Sequence, residues 1–292
     1  GSVTKDLHRK SFAMHEELAA TLGLQSYRKI PVLSVAAGTQ PKPARNCSWL
    51  DGCIASCSLM DKNLTAQVTP KELTEALVAA AVAKGARVVI GRVEGLETAQ
   101  GPDGTVQVRA VVVDGKPMKA DKVVIAMGPW SVLATDWLGL RVPMEGIWST
   151  SVVYQHSGTD RTKEEPYALF CQEDDNGCHL EVYPRPNGEV YLCGIGGSKY
   201  TKPEEIKALA PEAVLPNPKR AAAAHASFSR MTSLGSQEPA KTQACMRPCL
   251  QDGLPMMGRV PATANAYIAC GHNCWGILWA PISGLAMAEL VV

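Results

Sequence analysis

The sequence has almost no net charge: 29 Lys and Arg stand against 28 Asp and Glu, a formal +1. That balance removes the electrostatic case for a nucleic-acid or anionic-membrane partner, and a small substrate is the expectation instead. Long apolar runs are also missing. The richest stretches, 76–83 and 277–290, are interrupted or too short to span a bilayer, and no basic, apolar leader opens the chain, so a soluble protein is expected. Ten cysteines in 292 residues are too sparse for a disulfide scaffold. Cys171, Cys193 and Cys270 sit in apolar segments, where a free thiol behaves as a small hydrophobe, so a reducing, intracellular setting is the simpler expectation. No repeat or low-complexity tract appears. A chain of this length has ample material for one large or two smaller domains.

Along the chain, apolar Leu7, Met14, Leu18 and Leu22 among charged residues predict an amphipathic helix over 4–22, stopped by Gly23. Residues 27–35 alternate enough for a strand. Thr69-Pro70-Lys71-Glu72 reads as a helix start, with Thr69 as N-cap, Pro70 first in the helix and Glu72 reaching back as the capping-box partner. The apolar run 86–90 after Gly85 predicts a strand, and the turns at 101–104 and 114–115 bracket a β meander. Residues 122–127 read as a buried parallel strand entering Gly128-Pro129-Trp130-Ser131. From 148 to 197 short strands alternate with turns. Residues 202–209 and 217–231 look helical, their charged and Ala-rich faces suggesting a solvated flank.

The C-terminal run from Cys245 is the most informative. Residues 266–270 read as a buried strand, Gly271 to Gly276 as a loop where backbone must approach something, and 280–290 as an apolar helix whose start carries Pro281 and Ser283. Backbone amides in the loop and the positive end of the helix suit an oxygen-rich, electron-accepting or anionic group.

The residues Arg247-Pro248, Asp252-Gly253-Leu254-Pro255, Gly258, Gly271-His272, Gly276-Ile277, Ala280-Pro281 and Gly284 resemble the C-terminal signature of the FAD-dependent amine and amino-acid oxidases, the D-amino-acid oxidase and glycine oxidase family. The run Ala126-Met127-Gly128-Pro129-Trp130-Ser131 is a second match. The resemblance implies a two-lobed α/β glycine oxidase-like fold. A layered FAD-binding-type domain would come from 1–27, 69–143 and 246–292, and a mixed, mostly antiparallel substrate domain from 28–68 and 144–245. It implies FAD as cofactor, a small amino-acid or amine substrate, hydride transfer from the substrate to flavin, and hydrolysis of the resulting imine. Carried over by position, Val93, Met127, Gly128, Trp130, Gly271, His272, Asn273, Cys274, Trp275, Gly276 and Ile277 would contact the cofactor, and Arg247 the substrate carboxylate.

Arg is suited to that role because its planar fork donates two parallel hydrogen bonds, although an Arg before Pro is more often a surface or ion-pair residue. Tyr183 and Arg185, in Val-Tyr-Pro-Arg-Pro-Asn-Gly, could orient a substrate at the flavin ring or simply close a hairpin. The pairs Cys53/Cys57, Cys245/Cys249 and Cys270/Cys274 invite a metal reading, but two lie inside the flavin-type signature, and no metal is expected. Members of the family open with a βαβ unit carrying Gly-x-Gly-x-x-Gly, and these residues contain no such fingerprint. Gly194-Ile195-Gly196-Gly197 follows a strand but has Lys199 where the third glycine would stand, and reads as a packing turn. A competing reading is therefore a noncatalytic interaction or assembly subunit that keeps a degenerate flavin-oxidase fold, with a protein partner or a homo-oligomer.

Overall fold

The amphipathic spacing at the start folds as a helix, α1 (Lys5–Leu22), and Gly23 ends it at φ 67° while Leu24 N–H returns to the Ala19 carbonyl. The structure, a computed structural model, describes residues 4–62, 64–155 and 161–292. Where one strand was expected over 27–35, Pro31 interrupts the ladder and two short ones form. These are β1 (Arg28–Lys29) and β2 (Val32–Ala37), followed by β3 (Ile54–Asp61) and β4 (Ala66–Gln67), which pairs back with β1.

Helix α2 (Pro70–Ala83) starts on its proline as read, but the capping box does not close. Glu72 instead accepts the amides of Gln25 at 2.6 Å and Ser26 at 2.9 Å, fastening α2 to the turn after α1. The strand expected at 86–90 is also absent. Those residues form no regular element and have no strand partner among the described residues, and Val88, Val89 and Ile90 are exposed. An apolar sequence becomes a strand only when a neighbour supplies ladder hydrogen bonds. The meander follows as expected in β5 (Val93–Gln100), β6 (Val106–Val113) and β7 (Lys116–Lys119).

After β8 (Val123–Ile125), a 3-10 turn over Gly128–Leu133 leads into α3 (Ala134–Leu138) and then β9 (Met144–Gln155). The long strand β9 is the spine of an eight-stranded sheet. Its other members are β2, β3, β10 (Ala168–Cys171), β11 (Glu181–Pro184), β12 (Glu189–Cys193), β13 (Lys199–Thr201) and β14 (Lys241–Leu250), with α4 (Arg161–Glu164) inserted before β10. The order is β13-β9-β12-β11-β10-β2-β3, with β14 on β9 as well. Every pairing is antiparallel except β10 with β2.

Helices α5 (Pro203–Ala208) and α6 (Pro218–Met231) follow β13. The expectation that they form a solvated flank fails for α6. Its Ala221, Ala224, Phe228 and Met231 are buried against Leu33, Val35, Trp49, Val152, Leu169, Val182 and Leu192 on one face of the sheet. Each large side chain buried there contributes about 1.5–3 kcal/mol. Beside α6, the turn at Gly194–Gly197 is a packing turn: φ is positive at Gly194, Gly196 and Gly197, and a Cβ at Gly196 would lie 2.3 Å from the Gly177 carbonyl.

A second core gathers Ile125, Val132, Met144, Met246, Leu250 and Ile268. It sits between the near end of the large sheet and a three-stranded sheet of β15 (Met256–Arg259), β16 (Ala266–Cys270) and β8, with β16 and β8 parallel.

The last helix, α7 (Gly276–Val291), starts four residues before the expected 280–290 and carries Pro281 inside it. Proline has no N–H for the Ile277 carbonyl. Helix α1 makes good the loss: His15 Nε2 lies 2.8 Å from Ile277 O, and Ser11 Oγ donates to Leu278 O at 2.5 Å while lying 3.3 Å from the Ile282 amide. These contacts let α7 continue through its proline. The continuous run Asn273–Val291 is, against the sequence expectation, long and apolar enough by length and composition to cross a membrane. One flank of it is seated on α1 through these hydrogen bonds and through Trp279, which is buried.

Candidate active site

The pleat of β14 sends Met246 and Leu250 into the core, so Cys245, Arg247 and Cys249 point to the other face of the sheet. Register carries that face across the neighbouring strands. Arg247 lies opposite Ile147 and Cys245 opposite Ser149 on β9, Val153 opposite Tyr191 on β12, and Tyr183 and Glu181 on β11 opposite Tyr191 and Cys193. The reverse face carries Val152, Val182, Val190 and Leu192 in the core. One side of the sheet is therefore structural and the other presents a guanidinium, two phenols, thiols and a carboxylate.

On the polar face Arg247 donates through Nη2 to Ser149 Oγ at 3.3 Å, and Ser149 Oγ lies 2.9 Å from Ser198 Oγ. Arg247 Nε is buried without a partner, and no carboxylate among the described residues lies within ion-pair distance of this side chain. Arg185 is differently placed. Its Nη1 is 2.7 Å from Glu189 Oε2 and its guanidinium stacks 5.0 Å from the Tyr191 ring centroid, so it braces the hairpin. Tyr183 donates to Glu181 Oε2 at 2.6 Å, and Cys193 Sγ lies 3.5 Å from the same oxygen. Burial, and then the Glu181 charge, push the Tyr183 phenol and the Cys193 thiol well above their ordinary values, and burial pushes Tyr191 up to about 12. All three are neutral donors at neutral pH.

The end of β14 meets the glycine loop directly, because Cys249 forms a bridge with His272. The bridge sets the end of β14, two residues past Arg247, against the loop 271–276. Gly271 takes φ 80° and Asn273 φ 49°, and His272 Nε2 lies 2.9 Å from Ser283 Oγ, which ties the loop to α7. Burial lowers the His272 pKa, leaving a neutral imidazole. Cys274, Trp275 and Ile277 are exposed, and Gly276 opens α7 with no side chain capping its first amides.

Gly128 and Gly271 follow the carboxyl ends of the parallel pair β8 and β16, with φ 55° and 80°. The buried Ser131 links the two ends: its hydroxyl accepts the Met127 amide at 3.1 Å and bonds the Cys270 thiol, which burial raises to about 11. A Cβ at Gly128 would meet nothing within 4 Å, and one at Gly276 only His272 Cβ at 3.7 Å, so the backbone at both places stands open to a ligand. Ligands of open α/β sheets sit outside the carboxyl ends of parallel strands. The open glycine turn at one such end, Gly128, and the open Gly276 backbone at the start of a long helix beside the other fit the oxygen-rich edge of a flavin ring. Trp130 is committed to packing, its indole N–H donating to Leu209 O at 2.7 Å. Val93 opens β5 in the meander, a different sheet from the glycine ends. No group of three potential metal ligands assembles among the described residues, and all ten cysteines are free thiols.

Sequence reading missed Glu181, Cys193, Tyr191 and Ser149 on the site face and Ser11 and His15 under α7. The signals were present as spacing. Glu181 and Tyr183, and Tyr191 and Cys193, stand two apart on strands, while Ser11 and His15 stand four apart on a helix.

Comparison with known proteins gives the family and the fold. The family model for DAO, FAD dependent oxidoreductase, matches residues 2–290. The chain is 26% identical over 272 aligned residues to the putative oxidoreductase TDA3 of Saccharomyces cerevisiae, covering 80% of this chain and 49% of that protein. It is 27% identical over 179 residues to a glycine oxidase of Geobacillus kaustophilus, covering 61% and 42%. The chain thus spans about half the length of the curated relatives it matches. Among solved structures, the G. kaustophilus glycine oxidase superposes with a TM-score of 0.72 at 18% identity, covering all of this chain and 80% of that one. The L-proline dehydrogenase of P. horikoshii gives 0.74 at 17% identity, covering 100% and 79%. At these identities the superpositions show a shared fold.

Proposed function

The chain belongs to the DAO family of FAD-dependent oxidoreductases, and from that premise we propose that it oxidises a C–N bond of a small amino acid or amine. The observation that carries the reading is Arg247: a guanidinium on the polar sheet face, without a carboxylate partner, one bridge away from the glycine loop. Gly128 and the 271–277 loop are the residues that would hold the flavin ring. When bound, FAD supplies a two-electron acceptor for the hydrogen on the nitrogen-bearing carbon.

The protein's own part is placement. Arg247 clamps the substrate carboxylate through two parallel hydrogen bonds, with Ser149 holding the fork, and so fixes which carbon faces the cofactor. Tyr183 and Tyr191 wall the site and stay protonated, so they donate hydrogen bonds and do not compete for the substrate's proton. Neutral His272, pinned on Ser283, orients the loop. Among these groups no acid–base pair is needed, because the cofactor carries the difficult step.

A second reading, a noncatalytic interaction subunit, draws on the exposed run Val88, Val89 and Ile90 and on the exposed Leu285 and Leu290 of α7. One experiment separates the two. A purified sample that takes up FAD and bleaches anaerobically on adding a small amino acid supports the oxidoreductase. A colourless sample that refuses added FAD overturns it and favours the interaction subunit.

A further inference from the structure

Glu181 is the unexplained charge on the site face. Its Oε2 accepts from Tyr183 and from Cys193, and no cation pairs with it among the described residues. Other carboxylates of the same sheet are matched: Glu189 by Arg185, and Glu145 by Lys202. A half-buried carboxylate among Phe170, Tyr183, Tyr191 and Cys193 loses hydration that two neutral donors only partly replace. Arg247 is its mirror image, a cation on the same face without an anion. The two do not pair with each other, yet Cys193 lies within reach of both fields: after burial, Glu181 raises its pKa and Arg247 lowers it.

From this juxtaposition we infer that Glu181 is the recognition residue for a second, cationic group on the substrate, so that the site takes an amino acid with a basic side chain. The inference rests on the proposed carboxylate role of Arg247. Spacing decides between the reacting amine and a distal cation as the group Glu181 meets. Three inter-strand steps, β14 to β9, β9 to β12 and β12 to β11, put the strand axes roughly 14 Å apart at about 4.8 Å each, and register adds an offset of roughly 13 Å along the strands, because Glu181 and Cys193 stand level with Ser151 and Gln243, four residues along β14 from Arg247. Both side chains reach inward and shorten the gap, but an α-ammonium adjacent to the carboxylate on Arg247 remains too close to it to meet Glu181. A chain of lysine length bridges the span. Tyr183 and Cys193 donate to one carboxylate oxygen and leave the other for the cation, and their raised pKa values keep them protonated donors.

The test is calorimetric binding of DL-lysine and DL-norleucine to the FAD-supplemented protein under anaerobic conditions. The pair differs in charge at the chain end, and racemates remove handedness. The expected result is that lysine binds about 10-fold to 100-fold tighter than norleucine, and that Glu181→Gln brings the ratio close to one. Tyr183→Phe, which keeps the carboxylate charge, retains the preference, so a loss in Glu181→Gln cannot be put down to a damaged strand; thermal melts check that both variants fold. Equal binding of lysine and norleucine to the parent protein, or no binding of either, overturns the inference. If lysine is preferred but no flavin is reduced, the oxidoreductase reading falls and the cation subsite stands.

Discussion

His15 Nε2 lies 2.8 Å from the carbonyl oxygen of Ile277, the acceptor that Pro281 deprives of its helical donor. Ser11, one turn earlier on α1, serves the next carbonyl, Leu278, and both residues are buried. A helix interior otherwise loses about 3 kcal/mol to a proline. The α1–α7 contact therefore fixes the start of α7, which carries the glycine loop.

Replacing His15 with Ala should destabilise the protein by about 1–2 kcal/mol, because a partly buried carbonyl loses its donor. Chemical denaturation measures it. Pro281→Ala restores the helical N–H, so in that background the cost of His15→Ala should shrink toward zero; an unchanged cost would show that His15 acts through packing alone.

Arg247→Ala should weaken a carboxylate-bearing substrate by about 2 kcal/mol or more, roughly 30-fold in KM. The decarboxylated amine of the same substrate should be affected far less. Steady-state kinetics on the matched pair decide it, and equal losses on both would make Arg247 structural.

Asp51 ties the turn before β3 to Ser233 and to Arg161. Burial alone would raise its carboxyl, but the Ser233 hydroxyl and amide and the Arg161 guanidinium bring it below the ordinary value; the Arg185 and Asn187 contacts do the same for the half-buried Glu189. A folded-state pKa held below the unfolded one gives stability that is fully present above the unfolded value and is lost as pH falls through the folded one. Melting temperature should accordingly fall below about pH 4. Asp51→Asn should flatten that slope, as melts across an acid series would show.

The parts of the fold that local spacing dictates were legible in the sequence. Gly23 and the turns around 101–104 and 114–115 need only neighbouring residues to act. What failed depended on a partner distant in sequence. Glu72 found the amides of 25 and 26 in place of its own N-cap, 86–90 met no strand, and α6 buried a face that its charges concealed. The site divides the same way. Arg247 and Gly271 belong to one signature, and the Cys249–His272 bridge joins them. Glu181 acquires meaning only when register sets it opposite Cys193 on the face that Arg247 shares.

Gly271 gives the sharpest test of how closely the loop is fitted. Its φ of 80° favours glycine, and an added Cβ would stand 2.5 Å from Leu250 Cδ1. Gly271→Ala should cost about 1–3 kcal/mol from backbone strain together with the clash. Leu250→Ala in the same chain removes the clash but not the strain, so the double variant should lose less than the sum of the two single losses, and a double-mutant cycle by denaturation measures the difference. Leu250 ends the strand that carries Arg247, and Cys249 beside it bridges His272. Relief of the crowding should therefore restore carboxylate binding along with stability; recovery of stability without it would separate the loop's packing from the site.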